Sequence, residues 1–183
     1  MILARDFEDF IKLLNRHKVE YLVVGGYALA FHGKPRHTGH LDIWIGISEL
    51  NATRMLQVLR DFGLTSLGFK KEDFLTPGYV TQIGYPPLRI DILNPIDGVE
   101  FKDAIKNTLC LEVENDFVIN YIGLKDFVKN KQATGRSQDL VDIQEIKKIK
   151  PVKKIPGGRK GGHHKSGTIK GKYGSTSSSR SAS

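Results

Sequence analysis

GGYALAFHGKPRHTGHLDIWI, residues 25 to 45, follows the apolar run YLVV and carries the pattern on which the fold turns. A continuous apolar run ending in glycines reads as a buried strand entering a tight turn. The turn opens a short helix over residues 27 to 32, a polar loop follows, and LDIWIGI reads as a second buried strand. Asp42 in the middle of that strand is costly to bury alone, so it implies a metal ion or a cationic partner. Two positions earlier stands His40, where a divalent-cation site would place a second carboxylate.

Outward from this core, ARDFEDFIKLLNR at residues 4 to 16 sets Phe7, Phe10, Ile11 and Leu14 at helical spacing with charges opposite. SELNATRMLQVLRDFG predicts a helix begun by Ser48 and stopped by Gly63. YVTQIG and LRIDIL read as strands, the second with Asp91 at its centre, and TLCLEVENDFVINYI reads as a hairpin turning at Glu114 to Asp116. GLKDFVKNKQATG and SQDLVDIQEIKKIK predict two helices parted at Gly135. This order predicts an α/β or α+β domain with a mixed sheet. No internal repeat is visible.

The chain has 183 residues, enough for one domain with a real core or a core plus a tail. Its net charge of +8 is unevenly placed: residues 151 to 183 carry eight Lys and Arg and no acid, and the remaining 20 basic residues balance the 20 acids of residues 1 to 150. The expected organisation is a domain over 1–150, with a helical C-terminal segment over 123–150, and a Gly/Ser/Lys-rich tail over 151–183. Such a tail has almost no large apolar side chains and is expected to be disordered. A solvated tail without a role, an arm for polyanions such as RNA, and a terminus foreign to the body all fit its composition. The single cysteine, Cys110, excludes an internal disulfide and reads as a small buried strand residue, which suits a reducing, cytoplasmic setting. The N-terminus is interrupted by charges and no apolar run nears the ~20 residues of a membrane span, so a soluble protein is expected.

Three features converge: Gly25 and Gly26 after a buried strand, Asp42 on the next strand, and Asp91 on a later one. Adjacent strands could bring the two acids together beside the glycine turn, with oxygen ligands for a hard cation and backbone N–H groups for phosphate. Together they resemble the signature of the nucleotidyltransferase superfamily of DNA polymerase β type: a hydrophobic residue, a Gly pair, roughly a dozen residues, then acid, hydrophobic, acid, hydrophobic. Here 13 residues separate Gly26 from His40, Leu41, Asp42 and Ile43. Asp91 in RIDIL is similar to the family's third acid. The closing stretch LKDFVKNKQATGRSQDLVDIQEI resembles that of small prokaryotic members, including abortive-infection toxin nucleotidyltransferases, whose Lys, Arg and Asp map onto Lys131, Arg136 and Asp139. The resemblance covers nearly all of residues 1 to 150.

The resemblance implies the small mixed-sheet nucleotidyltransferase fold. It also implies two-metal transfer of a nucleoside monophosphate from a triphosphate to an RNA (tRNA among them) or protein hydroxyl, with Mg²⁺ or Mn²⁺ as cofactor. It further suggests the toxin of a toxin–antitoxin pair, with an antitoxin protein as partner. On this mapping Asp42 would bridge both metals, and Asp91 would hold the acceptor-side metal and help deprotonate the hydroxyl. Gly25 and Gly26 would contact phosphates, and Lys131 or Arg136 would neutralise the nucleotide. Arg36 and Thr38 are similar to positions often Arg and Thr in close relatives, and would join the nucleotide site. His40 departs from the pattern: imidazole binds Mn²⁺ or Zn²⁺ but is a poor partner for Mg²⁺. The substitution leaves open a retained but altered transferase, a catalytically inactive module binding nucleotide or nucleic acid, and an introduced change. Arg89 lies on the same strand face as Asp91, so a plain salt bridge competes with the metal role there. Trp44 alternates with Asp42 and reads equally as a flank of the site or a core aromatic; His32 and His37 suggest no role.

Overall fold

The computed structural model describes residues 3–35, 37–113 and 117–146. The predicted hairpin turn at 114–116, the end of the last helix, the basic tail and Arg36 lie outside the described residues.

Helix α1 (Arg5–Arg16) buries Phe7, Phe10, Ile11 and Leu14, the stripe its sequence spacing predicts. Strand β1 (Tyr21–Val23) is fully buried and leads directly into helix α2 (Gly25–Phe31). Strand β2 (His40–Ile45) follows, and helix α3 (Glu49–Asp61) starts where the Ser48 hydroxyl accepts from the Asn51 amide at 3.1 Å. Asn51 is itself buried. Its side chain accepts from the Glu20 amide and donates to the Glu20 and Gly46 carbonyls, tying α3 to the open ends of β1 and β2.

Strands β3 (Thr81–Ile83) and β4 (Arg89–Leu93) are preceded by a four-residue helix α4 (Glu72–Leu75), and another, α5 (Phe101–Ala104), comes after them. Neither short helix is legible in the sequence, because one turn carries no periodicity. Strands β5 (Leu109–Val113) and β6 (Phe117–Tyr121) pair antiparallel, and helices α6 (Leu124–Thr134) and α7 (Ser137–Ile146) close the described chain. Gly135 caps α6 in the left-handed conformation at φ +64°, the break expected between the two helices.

The six strands form one mixed sheet in the order β3-β4-β2-β1-β6-β5, so the architecture is the mixed α/β fold expected from the sequence. β1 runs antiparallel to β2 and parallel to β6, while β2 runs parallel to β4. Consequently β1 ends at the same edge of the sheet at which β2 and β4 begin. Trp44, paired with Leu93 in register, is 1% exposed and packs edge-to-face on Phe101, so of its two readings the core aromatic holds. The expectation of a buried Cys110 is corrected: β5 is an edge strand, and Cys110 is half-buried there. Among the described residues, no helix is long and apolar enough to cross a membrane.

Candidate functional site

Strand register builds the site. On the parallel pair β2 and β4, His40 lies opposite Arg89 and Asp42 opposite Asp91. All four positions fall on one face of the sheet, because residues two apart on a strand point the same way. Donor atoms of His40, Asp42 and Asp91 lie within 4.8 Å of one another, close enough for one metal ion to be shared after small side-chain rotations. Asp91 is buried and Asp42 nearly so, while His40 is 41% exposed at the mouth.

The glycine turn forms the third wall. Gly25 adopts φ +60°, and a Cβ there would stand 1.9 Å from Asp42 Oδ2, so both the backbone conformation and the space demand glycine. A Cβ on Gly26 would fall 2.9 Å from the Thr38 side chain, so Thr38 packs directly over the turn. Thr38 Oγ1 also donates to the His40 carbonyl at 3.1 Å, fixing the loop that delivers His40 to β2. The site thus gathers Gly25, Gly26, Thr38, His40, Asp42 and Asp91.

Charge is concentrated and only partly compensated. Burial pushes the Asp42 carboxyl above its ordinary value; His40 pulls it down, the negative Asp91 pushes it up, and the Gly26 amide and Lys131 pull it down. His40 Nε2 is 3.4 Å from Asp42 Oδ2. Asp91 is met by the competing partner weighed from sequence: Arg89 Nη2 donates to Asp91 Oδ2 at 2.7 Å. Hydrogen bonding to Asp91, and then its charge, raise the Arg89 pKa further. Asp91 Oδ1 and Arg89 Nε are nevertheless buried without a hydrogen-bond partner. A buried carboxylate oxygen left unsatisfied beside a second carboxylate is the donor chemistry a cation would complete. Arg89 is the residue of this cluster to which sequence reading gave no site role, although its spacing of two from Asp91 was the available signal.

The closing helices divide their predicted residues. Lys131 is close enough to lower the Asp42 pKa, and its ammonium donates to Asp139, which also accepts from Thr134 Oγ1 at 2.8 Å. Burial raises the Asp139 carboxyl, but the hydrogen bonds from Lys131 and Thr134 outweigh it and hold the group below its ordinary value. Arg136 is exposed; its charge is felt by Asp139, and no hydrogen bond or ion pair joins it to the acids among the described residues. His32 is buried at the C-cap of α2, its Nε2 2.9 Å from the Ile122 carbonyl.

No protein-family model and no curated protein matches the chain. Among solved structures it is similar to a Thermotoga maritima protein assigned provisionally as a nucleotidyltransferase, at 16% identity over 79% of this chain and 89% of the other, with a TM-score of 0.48.

Proposed function

We propose that this site binds a nucleoside triphosphate together with a divalent cation and transfers the nucleoside monophosphate to a hydroxyl of RNA or of a protein, the hydroxyl oxygen bonding the α-phosphorus as the α–β bond breaks and pyrophosphate leaves. The observation that supports it is the register of Asp42 against Asp91 on adjoining parallel strands, beside the glycine turn at the start of α2. His40, Asp42 and Asp91 would hold the cation, and the unsatisfied Asp91 Oδ1 and the mixed N/O donor set fit one transition-metal dication that accepts imidazole as well as carboxylate, such as Mn²⁺. Such an ion, when bound, supplies Lewis-acid stabilisation of the phosphoryl oxygens. Asp91 serves as the acceptor of the hydroxyl proton.

Gly25 and Gly26 bring the backbone of the turn against Asp42 and Thr38, with which a Cβ at either would collide, and their N–H groups would meet the phosphates. Thr38 lines the same turn, and Arg36, outside the described residues, is proposed for the nucleotide site on the family resemblance alone. Lys131 would counter the charge of the nucleotide from α6, with the exposed Arg136 proposed as a second cation. A toxin–antitoxin role, an antitoxin partner and a cytoplasmic setting are the biological context proposed with this activity. A second reading, a noncatalytic module that binds nucleotide or nucleic acid, draws support from His40 at the first acid position and from the pairing of Arg89 with Asp91.

Labelled triphosphates incubated with mixed RNA and Mn²⁺ or Mg²⁺ separate the two. Transfer that disappears in Asp42→Ala supports the transferase. An inactive native protein that gains strong activity on His40→Asp establishes the binding module instead.

A further inference from the structure

The site has two carboxylates and a fixed guanidinium. Asp42 and Asp91 contribute two negative charges, Arg89 one positive charge, and a metal-binding imidazole none. One dication brings this local sum to +1, the same as two dications on three carboxylates. Before a triphosphate brings its own anionic oxygens, a second dication would bring it to +3 with no further anionic side chain to hold it, an arrangement strongly opposed in a buried site. Two-ion occupancy therefore does not fit these residues.

Geometry gives Arg89 the position to stand in. The β2–β4 register sets it beside His40 and one step from Asp42, while its own Nη2 engages Asp91 at 2.7 Å. Its side chain is 28% exposed, and although its unpartnered Nε is buried, the exposed part of the guanidinium faces solvent. A planar guanidinium with donors to spare can take a phosphate oxygen as well as a carboxylate, which a lysine could do only as a point charge. His40, which departs from an all-acid site, and the cation Arg89 lie opposite each other on neighbouring strands, and each shifts the site by one unit toward positive charge, together the charge of one dication.

We infer that the Arg89 guanidinium serves as the second cation of this site, so that the chain binds a single divalent ion through His40, Asp42 and Asp91 and prefers Mn²⁺ to Mg²⁺. This rests on the reading of the site as a metal-dependent triphosphate site. Removing the charge of Arg89 frees Asp91 and removes repulsion toward the ion, so the ion should bind at least about tenfold more tightly.

The test is Mn²⁺ titration of the full chain, followed by electron paramagnetic resonance of free Mn²⁺, with ions that persist in Asp42→Ala subtracted. One Mn²⁺ per chain, Mg²⁺ competing at least about tenfold more weakly, tighter Mn²⁺ binding in Arg89→Met and unchanged stoichiometry in Arg89→Lys support the inference. The double variant His40→Asp with Arg89→Met is expected to take up two ions. Two site-dependent Mn²⁺ ions in the native chain, or an Arg89→Met affinity equal to the native one, overturn the inference while leaving the metal-site reading intact. No site-dependent ion in the native chain or the double variant, with triphosphate present, overturns both. Circular dichroism confirms that each variant is folded before its titration is read.

Discussion

The carboxylate of Asp42 occupies the space in which a side chain of Gly25 would sit, 1.9 Å from the Cβ that any other residue would carry. The turn and the acid are therefore one unit: β1 can pass into α2 this closely only because position 25 has no side chain.

Gly25→Ala is expected to destabilise the protein by about 2 kcal/mol or more in urea unfolding. Roughly 1–2 kcal/mol comes from holding alanine in the left-handed region, and the remainder from displacing Asp42. In an Asp42→Ala background the same change should cost less, keeping the backbone part and the 3.0 Å contact with the Cβ of residue 42. Equal costs in the two backgrounds would show that the contact with Asp42 contributes nothing.

Asp42→Asn should remove the site-dependent metal binding yet leave the fold as stable or more stable, by about 1 kcal/mol. Burial and the neighbouring Asp91 both disfavour the ionised carboxylate, so the metal-free protein holds Asp42 against its solvation preference. Thermal unfolding without metal is the measurement. A clear fall in melting temperature would mean that Asp42 is held by favourable contacts, with no stability given up for the site.

Lys131→Met should cost about 2–3 kcal/mol in urea unfolding, because Asp139 is 4% exposed and would keep only the Thr134 hydroxyl. Adding Asp139→Asn should recover most of the loss, since the uncompensated charge disappears with it. Additive costs in the double variant would show that the two side chains are not coupled.

Much of this arrangement could be read from the sequence, and the limits have physical causes. Long or strongly patterned elements such as α1, β2 and β4 declare their buried faces, and Asp42 and Asp91 each stood out as an acid inside an apolar strand. Their register against each other did not, because two strands of equal period pair in several ways until the whole sheet selects one. Arg89 was visible only as a neighbour on the same strand face; that it sits opposite His40 follows from the pairing of β2 with β4. The helical residues divided for a similar reason. Nothing in GLKDFVKNKQATG tells that Lys131 pairs with Asp139, while Arg136, just past the Gly135 cap, stays at the surface.

His32, which the sequence left without a role, should make stability depend on pH. Its ring lies between Phe31 and Phe127, with centroids 5.4 and 5.5 Å away, and its Nε2–H donates to the Ile122 carbonyl in the neutral tautomer. Burial lowers its pKa below the ordinary 6.5, only partly offset by the Ile122 carbonyl. A base whose folded pKa is depressed binds fewer protons folded than unfolded in the window between the two values. Its neutral, hydrogen-bonded state is therefore fully available above about pH 6.5, and stability is lost as pH falls below that value. His32→Gln keeps a donor for Ile122 without titrating, and the carboxylates common to both proteins cancel in the comparison. Between pH 7.5 and 5, as urea midpoints record, the native chain should lose about 1 kcal/mol more than the variant. Parallel profiles, or a native chain that gains stability on acidification relative to His32→Gln, would show that His32 is accommodated in its charged form.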